Sequence, residues 1–244
     1  MNVARVDAPA KLTLRLKIVG VRADGYHLLD AEMVTVDLAD TLEFSDGHGL
    51  SVDGPASGQV PAGSANLVAR ALEATGRQAM VRLVKRIPAG GGLGGGSADA
   101  AAVLRWAGCR DLGLAESLGA DVPFCLTGGR ARVSGTGEEV APLPFEEVAG
   151  RRYTLLTPPF RVSTAAAYRA WDDLGGPEAD GPNDLEPAAL AVEPGLVVWR
   201  DRLATATGQV PTLAGSGSTW FVEGAFPGED RMVVRPSRPA EVDQ

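Results

Sequence analysis

Apolar and polar residues alternate from Lys11 to Val19, and this period of two predicts a strand with one face turned inward. Val21 to His27 reads as a turn punctuated by Asp24-Gly25. Met33 to Leu38 and Asp40 to Phe44 predict two more strands, and Leu50 to Val52 a short, weak one. Residues 53–64, rich in glycine and proline, predict a loop, and Leu67, Ala71 and Leu72 fall on one face of a helix over Asn66 to Thr75. Alternation returns from Met80 to Ile87 and runs straight into a glycine-rich stretch, behind which Ser97 to Arg105 reads as a helix.

Further along, Asp111 to Leu118 predicts a short helix and Gly119 to Phe124 a compact turn. Arg130 to Val133 and Glu139-Val140 flank Gly135-Thr-Gly137 as a hairpin. The prolines and charges of 141–152 suggest a boundary, which divides the chain into expected domains 1–150 and 151–244. The second part predicts a strand at Tyr153 to Thr157 and a helix at Thr164 to Leu174, then a loop over 175–183. A helix entered through Asn183 to Glu186 follows, with another at Leu196 to Ala206. Leu213 to Val222 is a small glycine turn leading into a strand, and the tail with Pro236 and Pro239 is expected to be loose.

The chemistry centres on Pro88 to Ala102, where residues 90–96 hold six glycines around Leu93. Such a backbone can approach a ligand closely. Running into a helix N-terminus, it aims several N–H groups and the positive end of the helix dipole at one spot, an anion site suited to phosphate. Ser97 adds a hydroxyl for a phosphate oxygen or a metal ion. The stretch lacks the Gly-Lys-Ser/Thr ending of a Walker A loop. The G-x-G-x-x-G match inside it lacks the acidic residue a dinucleotide fingerprint requires.

Composition narrows the partners. The 244 residues are 45% hydrophobic and 22% charged, as expected of a globular protein with a substantial core. A net charge of −8 argues against a general nucleic-acid or membrane-surface binder. Two cysteines, Cys109 and Cys125, are too few for a disulfide framework, and two histidines exclude a His-rich metal site. With no apolar signal core or membrane-length run, a cytoplasmic location is the expectation.

Lys11 taken alone reads as a solvated strand-edge lysine, and Asp121 as a cap or turn aspartate. Together with the glycine stretch they form a pattern. Ala8 to Leu14, Arg22-Ala-Asp-Gly-Tyr-His27, Pro88 to Ala102, Gly119-Ala-Asp-Val-Pro-Phe124 and Ala214 to Thr219 occur in the order found in the GHMP kinase superfamily. Within it the second and fourth blocks resemble the 4-diphosphocytidyl-2-C-methyl-D-erythritol kinases, which serve the non-mevalonate (MEP) route to isoprenoids. The similarity runs from about residue 5 to 238.

The resemblance implies an α+β fold of two domains, a ribosomal-S5-domain-2-like N-terminal one and a ferredoxin-like C-terminal one, with the active site in the cleft between them. It implies an ATP-dependent kinase for the 2-hydroxyl of 4-diphosphocytidyl-2-C-methyl-D-erythritol, with Mg²⁺ carried on the nucleotide. Asp121 would be the general base, and Lys11 would hold it ionised. Pro88, Ala89, Gly90, Gly91, Gly92, Leu93, Gly94, Gly95, Gly96, Ser97 and Ala98 would wrap the ATP phosphates, with Asn66 and Lys85 nearer the base or ribose. Tyr26 and Tyr168 would stack on the cytosine while His27 reads its edge; apart from the resemblance, Tyr26 reads as a turn aromatic and Tyr168 as a helix core residue. Thr13, Gly215 and Ser216 would touch the substrate. No metal site of the protein's own, no nucleic acid and no membrane are implied, and a monomer or weak homodimer is expected.

Two departures stand out. Thr13 occupies a position where the family usually carries asparagine, and the passage between Leu104 and Gly119 is compressed relative to the family's longer two-helix one. Shortening there could displace Asp121, and a shift of about 1 Å can cost about a hundredfold in rate. Another small-molecule kinase of the superfamily, or a nucleotide-binding sensor or scaffold without turnover, are the alternative readings.

Overall fold

The computed structural model describes residues 3–60 and 63–240. Its first sheet is organised around a long antiparallel hairpin, β1 (Ala4–Val21) and β2 (His27–Ser45). The two strands predicted at Met33 to Leu38 and Asp40 to Phe44 are one. Asp40, which interrupts the apolar pattern, is buried within β2 rather than opening a new strand. On its other side β2 pairs with β4 (Met80–Val84) through its C-terminal half and with β5 (Arg130–Gly135) through its N-terminal half. β3 (Gly49–Asp53) joins β4 in parallel, and β6 (Glu139–Pro142) closes the hairpin predicted around Gly135 to Gly137. The register of β1 on β2 shifts between Pro9 and Lys11, again between Thr13 and Arg15, and again between Ile18 and Gly20. The first shift lies next to a proline, which has no N–H for the ladder, and bulges of this kind re-aim side chains.

Over this sheet lie α1 (Leu67–Ala74), α2 (Gly95–Trp106), α3 (Leu112–Leu118) and α4 (Val122–Thr127). Ala98, Ala100, Ala101, Ala102, Val103 and Leu104 are all buried, so α2 is enclosed on every side, as expected of a helix whose residues are small and apolar all round. Asp111 caps α3, accepting hydrogen bonds from the N–H groups of Gly113 (2.8 Å) and Leu114 (3.1 Å). The segment Gly119 to Phe124, read as a turn, instead opens α4: Pro123 sits in the first helical turn, where its missing N–H costs nothing.

The second sheet has the order β10-β7-β9-β8, from β7 (Tyr153–Leu156), β8 (Thr212–Leu213), β9 (Trp220–Glu223) and β10 (Met232–Val234). Alternation sorts its faces. Leu156, Trp220 and Val222 pack with Ala167 of α5 (Thr164–Asp173), Ala189 of α6 (Glu186–Val192) and Leu203 of α7 (Leu196–Thr207). Tyr153, Leu155 and Phe221 instead join the core of the first sheet. The two sheets are therefore held by shared apolar burial as well as by backbone. The Leu16 N–H donates to Pro182 O (2.9 Å), and the Asp184 N–H to Leu16 O (3.0 Å). The tail is docked rather than loose, because it has partners: Val36 bridges Pro236, and the Ser237 N–H donates to Thr35 O at 2.9 Å.

Candidate active site

The glycine stretch is suspended from both halves of the molecule. Leu93 buries its side chain in the main core, a contribution of roughly 1.5–3 kcal/mol, and its carbonyl accepts the Lys11 N–H at 3.0 Å. Gly91 O accepts the Thr219 N–H from the other side, at 3.1 Å. Two of the glycines are obligatory. Gly92 has φ +79°, and a Cβ there would stand 2.1 Å from Ala214 O. Gly94, the left-handed N-cap of α2, has φ +67°, and its Cβ would fall 2.7 Å from Lys11 Cγ. The loop therefore passes close against Lys11 and the 214–217 turn, which only glycine permits.

Lys11 is 5% exposed, not a solvated strand-edge residue. Its Nζ lies 3.3 Å from Asp121 Oδ2 and donates to Thr13 Oγ1 at 3.2 Å. Thr13, short as it is, is thus a partner of the lysine and lies behind it. Asp121 is the N-cap of α4, yet its side chain makes no capping bond and remains about one-third exposed, turned to Lys11 and the cleft. The short α3 fits the compressed passage, and the aspartate still reaches the lysine.

Lys11 and Asp121 line a cavity of about 270 Å³ together with Gly90, Gly92, Gly94, Gly95, Gly96 and Ser97. Tyr168, Gly215 and Ser216 close it from the second half, over an apolar wall that includes Leu16, Leu29 and Leu185. Gly95, Gly96 and Ser97, whose first-turn N–H groups have no partner within the helix, line this cavity. A second cavity of about 140 Å³ lies across the loop, lined by Ala89, Gly90, Gly95, Gly96, Asn66, Lys85 and Asp99 among others. Pro88, Gly91, Leu93 and Ala98 line neither cavity. The Ala98 side chain is in the core, and its N–H already donates to Gly94 O (2.8 Å), so these residues shape the loop instead of touching its contents.

Beneath the loop lies a charge cluster that the pattern did not reveal. Lys85 Nζ contacts Asp40 and donates to Asp99 Oδ2 at 2.7 Å, all three residues being buried. Asp40 also accepts the N–H groups of Arg86 and Ile87, so it fixes the backbone where β4 turns into the loop. Two carboxylates share one ammonium. Burial pushes Asp99 up to about 7 against the pull of Lys85, while its carboxylate neighbours raise Lys85 in spite of its own burial. A charged residue inside an alanine run was the available signal. Asn66 caps α1, its Oδ1 accepting the Val68 N–H at 2.9 Å.

Tyr168 and His27 meet, ring centroids 4.7 Å apart, and Trp171 packs edge-on to His27 at 5.4 Å. His27 Nε2 is hydrogen-bonded to Asp172 Oδ1 at 2.8 Å, so α5 fixes this ring. Tyr26 is 64% exposed beneath the Arg22 guanidinium, and neither Tyr26 nor His27 lines the cavities. The 213–217 turn is held by Asn183, whose Nδ2 donates to Leu213 O (2.8 Å) and Gly215 O (2.7 Å). Ser216 Oγ is hydrogen-bonded to Thr164 Oγ1 at 2.8 Å, a partner the sequence reading missed.

Known proteins resemble this chain in sequence and in fold. The family profile for the GHMP kinases N terminal domain matches residues 63–129, the span from α1 through the loop to α4. The 4-diphosphocytidyl-2-C-methyl-D-erythritol kinase of Paramagnetospirillum magneticum is 39% identical over 250 residues, covering 88% of this chain and 87% of that one. The enzyme of that name from Paracoccus denitrificans is 39% identical over 236 residues, covering 89% and 85%. A crystal structure of 4-(cytidine 5'-diphospho)-2C-methyl-D-erythritol kinase superposes with a TM-score of 0.70 at 34% identity, covering 89% of this chain and 88% of its own. At this identity over nearly the whole length, the chain belongs to the 4-diphosphocytidyl-2-C-methyl-D-erythritol kinase family of the GHMP kinases.

Proposed function

We propose that this chain transfers the γ-phosphoryl group of ATP to the 2-hydroxyl of 4-diphosphocytidyl-2-C-methyl-D-erythritol. The observation that carries this reading is the Lys11–Asp121 pair, 3.3 Å apart at the floor of a cavity roofed by the glycine loop. Membership of the GHMP kinases implies ATP as the donor. Phosphoryl transfer asks little covalent chemistry of a protein; positioning and charge compensation dominate. The α2 first-turn N–H groups and the dipole behind them would bind the phosphates. Asp121 Oδ atoms, free of any capping bond, would orient the acceptor hydroxyl and take its proton, and Lys11 would keep that carboxylate aimed. Because both sit against rigid elements, the acceptor is held instead of merely admitted.

Tyr168, on the wall of the larger cavity, offers a face for the cytosine, and the smaller cavity across the loop, with Asn66 and Lys85, suits the donor nucleoside. Tyr26 and His27 would join the acceptor site from its rim. Among the described residues no group of three His, Cys, Asp or Glu side chains stands ready to hold a metal. Mg²⁺ would be held by the nucleotide's phosphates, with the Ser97 hydroxyl as the protein's candidate donor, and would neutralise phosphate charge. We take residues 1–150 and 151–244 as the two domains, the second completing the acceptor site. Among the described residues no helix is long and apolar enough to cross a membrane.

The direct test is ADP release from Mg-ATP with and without the cytidine-diphosphate acceptor, followed by phosphorus NMR. Acceptor-dependent ADP and a new phosphomonoester resonance are expected. ATP turnover that a different alcohol supports and this acceptor does not would overturn the assignment.

A further inference from the structure

At the far end of α2, about ten residues and hence roughly 15 Å from the glycine loop, lies a cavity unconnected with the cleft. Its volume is about 380 Å³, and four arginines line it: Arg105, Arg110, Arg130 and Arg238. Two of these are neutralised. Arg130 pairs with Glu32 (2.7 Å) and Glu147 (2.5 Å), and Arg238 with Glu146 (3.2 Å).

The other two have no acid among the described residues. Arg105 is 3% exposed, and its two terminal nitrogens donate to backbone carbonyls, Nη1 to Cys125 O at 2.8 Å and Nη2 to Asp7 O at 3.1 Å. Its Nε, also buried, has no hydrogen-bond partner among the described residues. Burying a guanidinium without a counter-ion is costly, because carbonyl dipoles replace only part of the lost hydration. The neighbouring Arg110 adds a second positive charge, is exposed, and has no ion pair among the described residues. Repulsion between two guanidiniums around one cavity is relieved when an oxyanion bridges them, the geometry in which arginine exceeds lysine.

We propose that this cavity is a second anion site, taking a phosphate-class dianion between the Arg105 and Arg110 side chains that line it. The site is wired to the catalytic helix: Arg105 sits in the last turn of α2, and its Nη1 holds a carbonyl of α4, the helix that Asp121 begins.

The test titrates inorganic phosphate calorimetrically into the full chain already saturated with Mg²⁺ and a non-hydrolysable ATP analogue, so that the glycine loop is filled. Ionic strength is held constant with chloride. One saturable site is expected, at least tenfold weaker in Arg110→Ala and unchanged in Arg202→Ala, which removes an exposed arginine elsewhere. Affinity for the ATP analogue is expected to be the same in all three proteins, which shows that Arg110→Ala has left the fold and the cleft intact. Absence of saturable binding to the loaded wild-type protein would overturn the proposal. So would equal binding by Arg110→Ala, which would mean phosphate in the cleft or an adventitious ion only.

Discussion

Gly92 is the position at which a single methyl group should separate loop geometry from everything else. A Cβ there would stand 2.1 Å from Ala214 O and 2.9 Å from Gly217 O, both backbone atoms of a turn that Asn183 holds. Ordinary contact begins at 3.4 Å, so Gly92→Ala demands a movement of about 1.3 Å. No side-chain rotation can supply it. A misplacement of about 1 Å costs about a hundredfold in an oriented reaction, so kcat should fall by at least that factor. The left-handed φ of +79° adds about 1–2 kcal/mol of strain for a non-glycine residue, and overpacking about 1–3 kcal/mol more. A total destabilisation of about 2–5 kcal/mol should therefore appear in urea unfolding as a lower midpoint at unchanged slope. Gly150→Ala is the control, since nothing lies within 4 Å of its would-be Cβ. A Gly92→Ala enzyme with kcat within threefold of wild type and an unchanged midpoint would refute the reasoning.

Three further outcomes are expected. Unfolded Asp99 releases its proton near 3.8, whereas the folded residue keeps it to about 7. The native state thus binds the extra proton between these values, and stability falls as pH rises across them. Unfolding midpoints of Asp99→Asn measured from pH 4 to 7 should lack that decline, and parallel curves would show that the cluster is not the cause. Asn183→Ala removes both donors from the 213–217 turn and should cost about 2–4 kcal/mol in urea unfolding; a loss below 1 kcal/mol would mean the turn holds itself. Tyr168→Ala should raise KM for the cytidine-diphosphate acceptor roughly ten- to a hundredfold at constant KM for ATP, as expected for a stack of about 1–3 kcal/mol, while Tyr168→Phe stays near wild type. Equal KM values for the acceptor would remove Tyr168 from its site.

Much of this was legible in the chain because it is local. A glycine run between an alternating strand and an alanine-rich segment can hardly be anything but a loop feeding a helix, and the order of motifs singled out Lys11 and Asp121, which the fold brings 3.3 Å apart. What stayed hidden depends on partners distant in sequence. Asp40 reads as the first residue of a separate strand until Lys85 and Asp99 are brought beside it. The prolines of the tail suggest looseness, yet Pro236 and Ser237 pair with residues two hundred positions earlier. The α4 helix is six residues long and contains a proline, too short for any periodicity to register. His27 carries the family's expected residue, but its bond to Asp172 arises from the packing of α5 over the β1–β2 turn.

The most direct test of the account is Asp121→Asn, which keeps the shape of the side chain and removes its charge beside Lys11. Turnover and ATP affinity are measured on the same preparation. Loss of a positioned base predicts a fall in kcat of about a hundredfold or more, with affinity for ATP within a few-fold of wild type because the glycine loop is untouched. Turnover near the wild-type rate would contradict the central role of the Lys11–Asp121 pair.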